Sequence, residues 1–115
     1  MPKTLSSSVK IFYPTYKRPE LVEILQERLF RLISVLPLKR VVLFGSWAMG
    51  RETAFSDIDL MVTYVGQPRE EAYRLVKRHL NLRGLEPHVF CEEEAQELAV
   101  TIERMTKQGI VLYPN

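Results

Sequence analysis

The chain has 115 residues, 46% of them hydrophobic and 26% charged, with a net charge of +2. This is the length and balance of one ordinary soluble domain, enough for a real core but with little room expected for appended modules. The charge is too mild, and too evenly mixed in sign, for the basic stripe of a committed nucleic-acid binder.

The single cysteine, Cys91, rules out an internal disulfide and fits a reducing cytoplasm. No apolar run approaches the roughly 18 residues of a membrane span. The N-terminal "MPKTLSSSVK" has no apolar signal-peptide core, so a cytoplasmic location is expected.

Residues 1–8 are small and polar and are expected to fray. "VKIFYPTY" is short, apolar and aromatic with Pro14 inside it, and reads as an edge strand or an extended surface segment. Pro19 suits a first helical turn, and Leu21, Val22, Leu25, Leu29, Leu32, Ile33 and Leu36 then recur at helical spacing up to Pro37. "RVVLF" is a short β-branched run, apolar on both faces, that reads as a buried strand. "GSWAMG" follows as a turn or helix start, and Asp57 to Tyr64 as the second strand. Pro68 opens a second helix with Ala72, Leu75, Val76, His79 and Leu80 on one face, and Gly84 is placed to cap its end. Leu85 to Cys91 is a third strand. Glu92, Glu93 and Glu94 start a helix, where acidic residues are favoured, and Ala95, Leu98, Ile102 and Met105 continue it to Gly109. "IVLY" is a last short strand. The expected architecture is a mixed α/β (α+β) layer, one sheet with helices packed on it.

Within this frame, "FGSWAMGRETAFSDIDL" carries the chemistry. Side chains alternate across a strand, so Asp57 and Asp59 share a face, about 7 Å apart. Burying two carboxylates side by side is costly unless a cation neutralises them. Oxygen ligands of this kind suit Mg²⁺ or Mn²⁺. Gly45 lets the backbone approach a ligand closely, and Ser46 offers a hydroxyl and an N–H where a helix begins, a place suited to phosphate. A phosphate cradle beside metal-binding aspartates is what phosphoryl or nucleotidyl transfer needs. Glu86, near the start of the third strand, is the candidate third carboxylate, to hold a metal or accept the proton of the attacking hydroxyl. His88 shares its face, and Arg51 is a further candidate for phosphate contact.

These residues resemble the nucleotidyltransferase superfamily that includes DNA polymerase beta. They are most similar to its minimal members, the MNT proteins encoded beside HEPN-domain proteins. The likeness rests on Gly45-Ser46, ten intervening residues, then Asp57-Ile58-Asp59, with "LEPHVFCEEEA" similar to the family's third-carboxylate strand and following helix. It runs from about Val41 to Leu98, within a single domain spanning 1–115.

The resemblance implies a polymerase-beta-like fold, with ATP or another nucleoside triphosphate as substrate and two Mg²⁺ ions. It implies transfer of a nucleoside monophosphate to a hydroxyl, most specifically AMP to a tyrosine of a HEPN-type toxin that the chain would neutralise as antitoxin. Carried over, Gly45 and Ser46 hold triphosphate, Asp57 and Asp59 bind both metals, and Glu86 is the third carboxylate. The family more often has aspartate at that last position.

A small-molecule transferase acting on an antibiotic hydroxyl, and an inactive module that binds nucleotide or partner, remain alternatives. Arg74 with His79, and Arg83 with His88, match the short Arg–His spacing of HEPN ribonucleases, but the expected strands exclude that all-helical fold. The last strand and the apolar N-terminal stretch, with Phe12, Tyr13 and Tyr16, leave a homo-oligomer or a docked partner open.

Overall fold

The computed structural model describes residues 14–114. The expectations for residues 1–8, and for Phe12 and Tyr13 in the aromatic segment, lie outside the described residues. Four strands form one sheet in the order β3-β2-β1-β4. β1 (Leu38–Phe44) pairs antiparallel with β2 (Ile58–Tyr64) and with β4 (Ile110–Tyr113), while β3 (Leu85–Cys91) runs parallel to β2. The parallel pair is joined, as it must be, by a crossover containing a helix, α2 (Ala72–Leu80). The chain therefore has the expected α+β architecture, with a mixed sheet.

One face of the sheet holds the main core. α1 (Arg18–Leu32) places Leu21, Leu25, Leu29 and Leu32 there at helical spacing, and α2 adds Ala72, Val76 and Leu80. They meet Val41 and Leu43 of β1, Ile58, Leu60, Val62 and Tyr64 of β2, and Leu85 of β3. The alternate residues of β2, Asp59, Met61 and Thr63, turn to the other face. There Met61 packs with Val42 and with Ile102 of the last helical segment. That segment covers only part of this face, and the start of β2 is left open.

Several boundaries differ from the sequence expectations. α1 stops at Leu32, and residues 33–36 form a turn that still buries Leu36 ahead of Pro37. α2 begins at Ala72 rather than at Pro68. The Arg69 N–H is taken by the Tyr64 hydroxyl at 2.8 Å, and the Arg69 guanidinium holds Glu71 at 2.8 Å and the Val35 carbonyl at 3.2 Å. These bonds fix a non-helical lead-in.

The end of α2 is made by Asn81 in the left-handed region (φ 45), with the glycine at 84 lying three residues further on. Arg28 of α1 reaches across to the terminal carbonyls of Leu80 and Asn81 at 2.6 and 3.1 Å, so the helix end is satisfied by its neighbour.

The long last helix is two segments, α3 (Glu92–Glu97) and α4 (Ala99–Thr106). Leu98 leaves the helical region at φ −103, ψ 19. Its N–H still bonds Glu94 and its carbonyl still accepts from Ile102, so the segments form one bent rod. At the start of α3 the acidic run acts as expected: the Glu94 carboxylate accepts the Cys91 N–H at 2.9 Å.

Candidate active site

The site begins where β1 ends. Gly45 follows Phe44 at φ +79, a conformation that disfavours any side chain. Its Cα also lies hard against Asp59, and an ideal Cβ here would collide with Asp59 Oδ2. The absent side chain is therefore filled by a carboxylate. The helix expected after the Gly-Ser pair is a single 3-10 turn, Gly45–Trp47, whose Gly45 carbonyl accepts from Ala48 and Met49 at 3.1 and 3.2 Å. Three residues give little macrodipole, so any anion held here meets individual N–H groups instead. The turn is fixed from below by buried Trp47 and from the side by Arg18, which donates to the Ala48 carbonyl at 3.0 Å.

Strand pairing brings Glu86 to the same place. In the β2–β3 register Asp59 lies directly beside Glu86, and in the β1–β2 register it lies beside Phe44. Asp59 is thus flanked on one side by a carboxylate and on the other by the Gly-Ser turn. Asp57 precedes β2 rather than beginning it, and is exposed. Asp59 is half-buried and Glu86 exposed. The two aspartates accordingly do not stand inside a buried strand, as the apolar sequence suggested. They sit at its open mouth, where desolvation is partial.

Asp59 is the electrostatic focus. Burial pushes its carboxyl above the ordinary aspartate range, the Asp57 charge pushes it further up, His88 draws it down, and Glu86 adds a last upward push. His88 pairs in register with Met61, and its ring meets Phe44 with centroids 5.4 Å apart. Since β2 lies between their strands, this ring pair closes over β2 just beyond Asp59. Further along the same face lies a groove of about 680 Å³, lined by Arg40, Thr63, Ala95 and Ile102 among others. Phe44 was not legible as a site residue, since an aromatic ending an apolar run carries no signal of its own. The imidazole at 88 was visible as a strand residue but not as this partner.

Two smaller hollows flank the carboxylates. One, about 500 Å³, opens beside Asp57 and is lined by Tyr16, Trp47, Phe55 and Arg83 among others. The other, about 210 Å³, opens beside Gly45.

The three carboxylates do not form a ready metal cage. Among the described residues no three His, Cys, Asp or Glu side chains converge closely enough to hold an ion between them. Unneutralised like charges turn apart, and Asp57 and Glu86 are free to do so at an exposed edge. The donor set nonetheless fits Mg²⁺, which is typically held by one or two carboxylates completed by substrate phosphates. The upward push of Asp57 and Glu86 on Asp59 is the charge that such an ion would relieve.

The fold is shared with solved structures. A proposed nucleotidyltransferase from Sulfolobus solfataricus aligns over 83% of this chain and 81% of its own, at 22% identity and a TM-score of 0.57. A doubly substituted MntA-HpeT toxin–antitoxin structure aligns over 78% of this chain and 73% of its own, at 18% identity and a TM-score of 0.55. A toxin–antitoxin structure with AMP-PNP aligns with the same coverage, at 20% identity and a TM-score of 0.56. No curated protein sequence matches significantly. The family described as "Polymerase beta, Nucleotidyltransferase" matches residues 23–115, from within α1 to the last residue. The chain belongs to the polymerase beta nucleotidyltransferase family.

Proposed function

We propose that this nucleotidyltransferase moves AMP from ATP to a hydroxyl, and that the acceptor is a tyrosine of a HEPN-type toxin that it thereby silences. The observation that carries the transfer is the seat of Asp59, set against the side-chain-free face of Gly45 and in register with Glu86. Support for the partner is the likeness to toxin–antitoxin structures, one of them with AMP-PNP, and the MNT-like spacing from Gly45 to Asp59.

In this reading Asp57 and Asp59 hold divalent ions together with the phosphates of the substrate. When bound, such ions supply charge neutralisation and Lewis acidity at the phosphates. The Gly45-Ser46 turn offers its N–H groups and the Ser46 hydroxyl to the triphosphate. Glu86, exposed beside Asp59, accepts the proton of the attacking hydroxyl. The acceptor oxygen bonds to the α-phosphorus, the bond from that phosphorus to the bridging oxygen breaks, and pyrophosphate leaves with the electron pair.

The test is incubation with α-labelled ATP and Mg²⁺, with and without a cognate HEPN-type protein, read by gel and mass spectrometry. Label is expected on a partner tyrosine. It is expected to vanish in Asp57→Asn and in Asp59→Asn, with circular dichroism unchanged. Full turnover in both variants, or no label with any acceptor, would remove this reading.

A further inference from the structure

The hollow beside Gly45 is lined by Phe44, Gly45 and Met49 on one side, and by Arg104, Met105, Lys107, Gln108 and Gly109 on the other. It is a cleft between the Gly-Ser turn and the C-terminal end of α4. Its charged lining is entirely cationic. Among the described residues neither Arg104 nor Lys107 makes a side-chain hydrogen bond or ion pair, and both are exposed. Arg51 leans toward the same rim, its guanidinium 3.2 Å from the Met49 sulfur.

Gly109 brings the end of α4 this close. A Cβ there would fall 2.8 Å from the Leu43 carbonyl oxygen, so only glycine lets the chain lie flat on β1 next to the turn. Gly45 is the shared wall: the Asp59 carboxylate lies against it on the site side, and the cleft opens beside it. The α4 cations thus line a cleft on the other side of the turn from Asp59, roughly 45 or more residues away from it in sequence.

We infer that Arg104 and Lys107 hold the terminal phosphates of the nucleoside triphosphate, in the cleft between the end of α4 and the Gly-Ser turn. The inference rests on the transferase reading above and adds to it the residues that select a triphosphate over a monophosphate. The charge balance asks for them. Three carboxylates and a triphosphate together outweigh two divalent ions, and a 3-10 turn contributes no large dipole. Fixed cations beside the leaving phosphates supply most of the remainder. Arginine offers a planar fork for phosphate oxygens and lysine a point charge, so the pair can grip two phosphates differently.

The test is calorimetric titration of the full chain, in Mg²⁺, with ATP, with inorganic tripolyphosphate and with AMP. The variants are Arg104→Ala/Lys107→Ala, the conservative pair Arg104→Lys/Lys107→Arg, and Arg74→Ala, which removes an exposed cation on α2 away from the cleft. Loss of two charge-assisted contacts at an exposed site predicts at least about a tenfold drop in ATP and tripolyphosphate affinity. AMP affinity should stay within about twofold, and the thermal midpoint should hold, since neither side chain is packed. The conservative pair should recover most of the affinity and Arg74→Ala should lose none.

Equal ATP affinity in the double alanine variant and the wild type overturns the cleft and leaves the transferase reading standing. A matching drop in Arg74→Ala overturns it too, because any lost surface charge would then do the same. A wild-type chain that binds neither ATP nor tripolyphosphate overturns both. Cation-dependent ATP binding without any label transfer supports the cleft and removes the transferase reading alone.

Discussion

The seat of Asp59 against Gly45 can be weighed by substituting Gly45→Ala. Two separate costs are expected. Alanine in the left-handed region costs roughly 1–2 kcal/mol relative to glycine. The new Cβ also claims the space of Asp59 Oδ2, and driving that carboxylate off its rotamer costs about 0.5–1.5 kcal/mol more. The sum, roughly 1.5–3.5 kcal/mol, lowers a urea midpoint by about 0.5–3.5 M at slopes of about 1–3 kcal/mol/M. Two comparisons separate the terms. Gly50 is also left-handed (φ +73), but its nearest heavy atom is Arg18 Nη1 at 4.0 Å, so Gly50→Ala carries the backbone cost alone. In an Asp59→Ala background the colliding atoms are gone and only the Asp59 Cβ remains, at an ordinary 3.4 Å. Gly45→Ala should therefore cost about 1–2 kcal/mol there, leaving a coupling of about 0.5–1.5 kcal/mol between positions 45 and 59. The assay is equilibrium urea unfolding of all five proteins with a chelator present. A Gly45→Ala cost that is the same in both backgrounds would refute the steric seat, whatever the backbone term proves to be.

The pH dependence of Asp59 gives a second expectation. Its folded-state value lies above the ordinary 3.8, so the folded chain binds the proton more tightly than the unfolded chain. Stability is then lost as pH rises through that window, and the loss is complete above the raised value. Asp59→Asn removes the loss. In chelator it should be more stable than wild type at neutral pH, and the gain should fade as pH drops below 3.8, measured by urea midpoints across pH. A gain that is constant with pH would exclude this origin. In the core, Leu25 is fully buried while Phe30 on the same helix is 79% exposed. Leu25→Ala should cost about 2–5 kcal/mol. Phe30→Ala should stay within about 0.5 kcal/mol, despite removing the larger side chain. Thermal unfolding of the two variants checks the contrast.

Much of this molecule was determined along the chain. The leucines of α1 at positions 21, 25, 29 and 32 and the alternation of β2 follow from local period, which needs no knowledge of neighbours. The same alternation puts Asp59 on the face away from the core, and the glycine at 45 marks a backbone that a side chain would obstruct. The tertiary structure decided what faces these residues. Asp59 meets Glu86 because β3 pairs parallel with β2 in one register, and a shift of one residue would turn Glu86 to the opposite face. Leu60, Val62 and Leu85 fix that register by packing beneath it, which no spacing in the sequence states. Nothing in the sequence singles out Arg104 and Lys107, and it is Gly109 that seats the end of α4 on β1 beside the Gly-Ser turn. Local period sets the direction of each side chain, but the partners it meets are chosen by how the core closes.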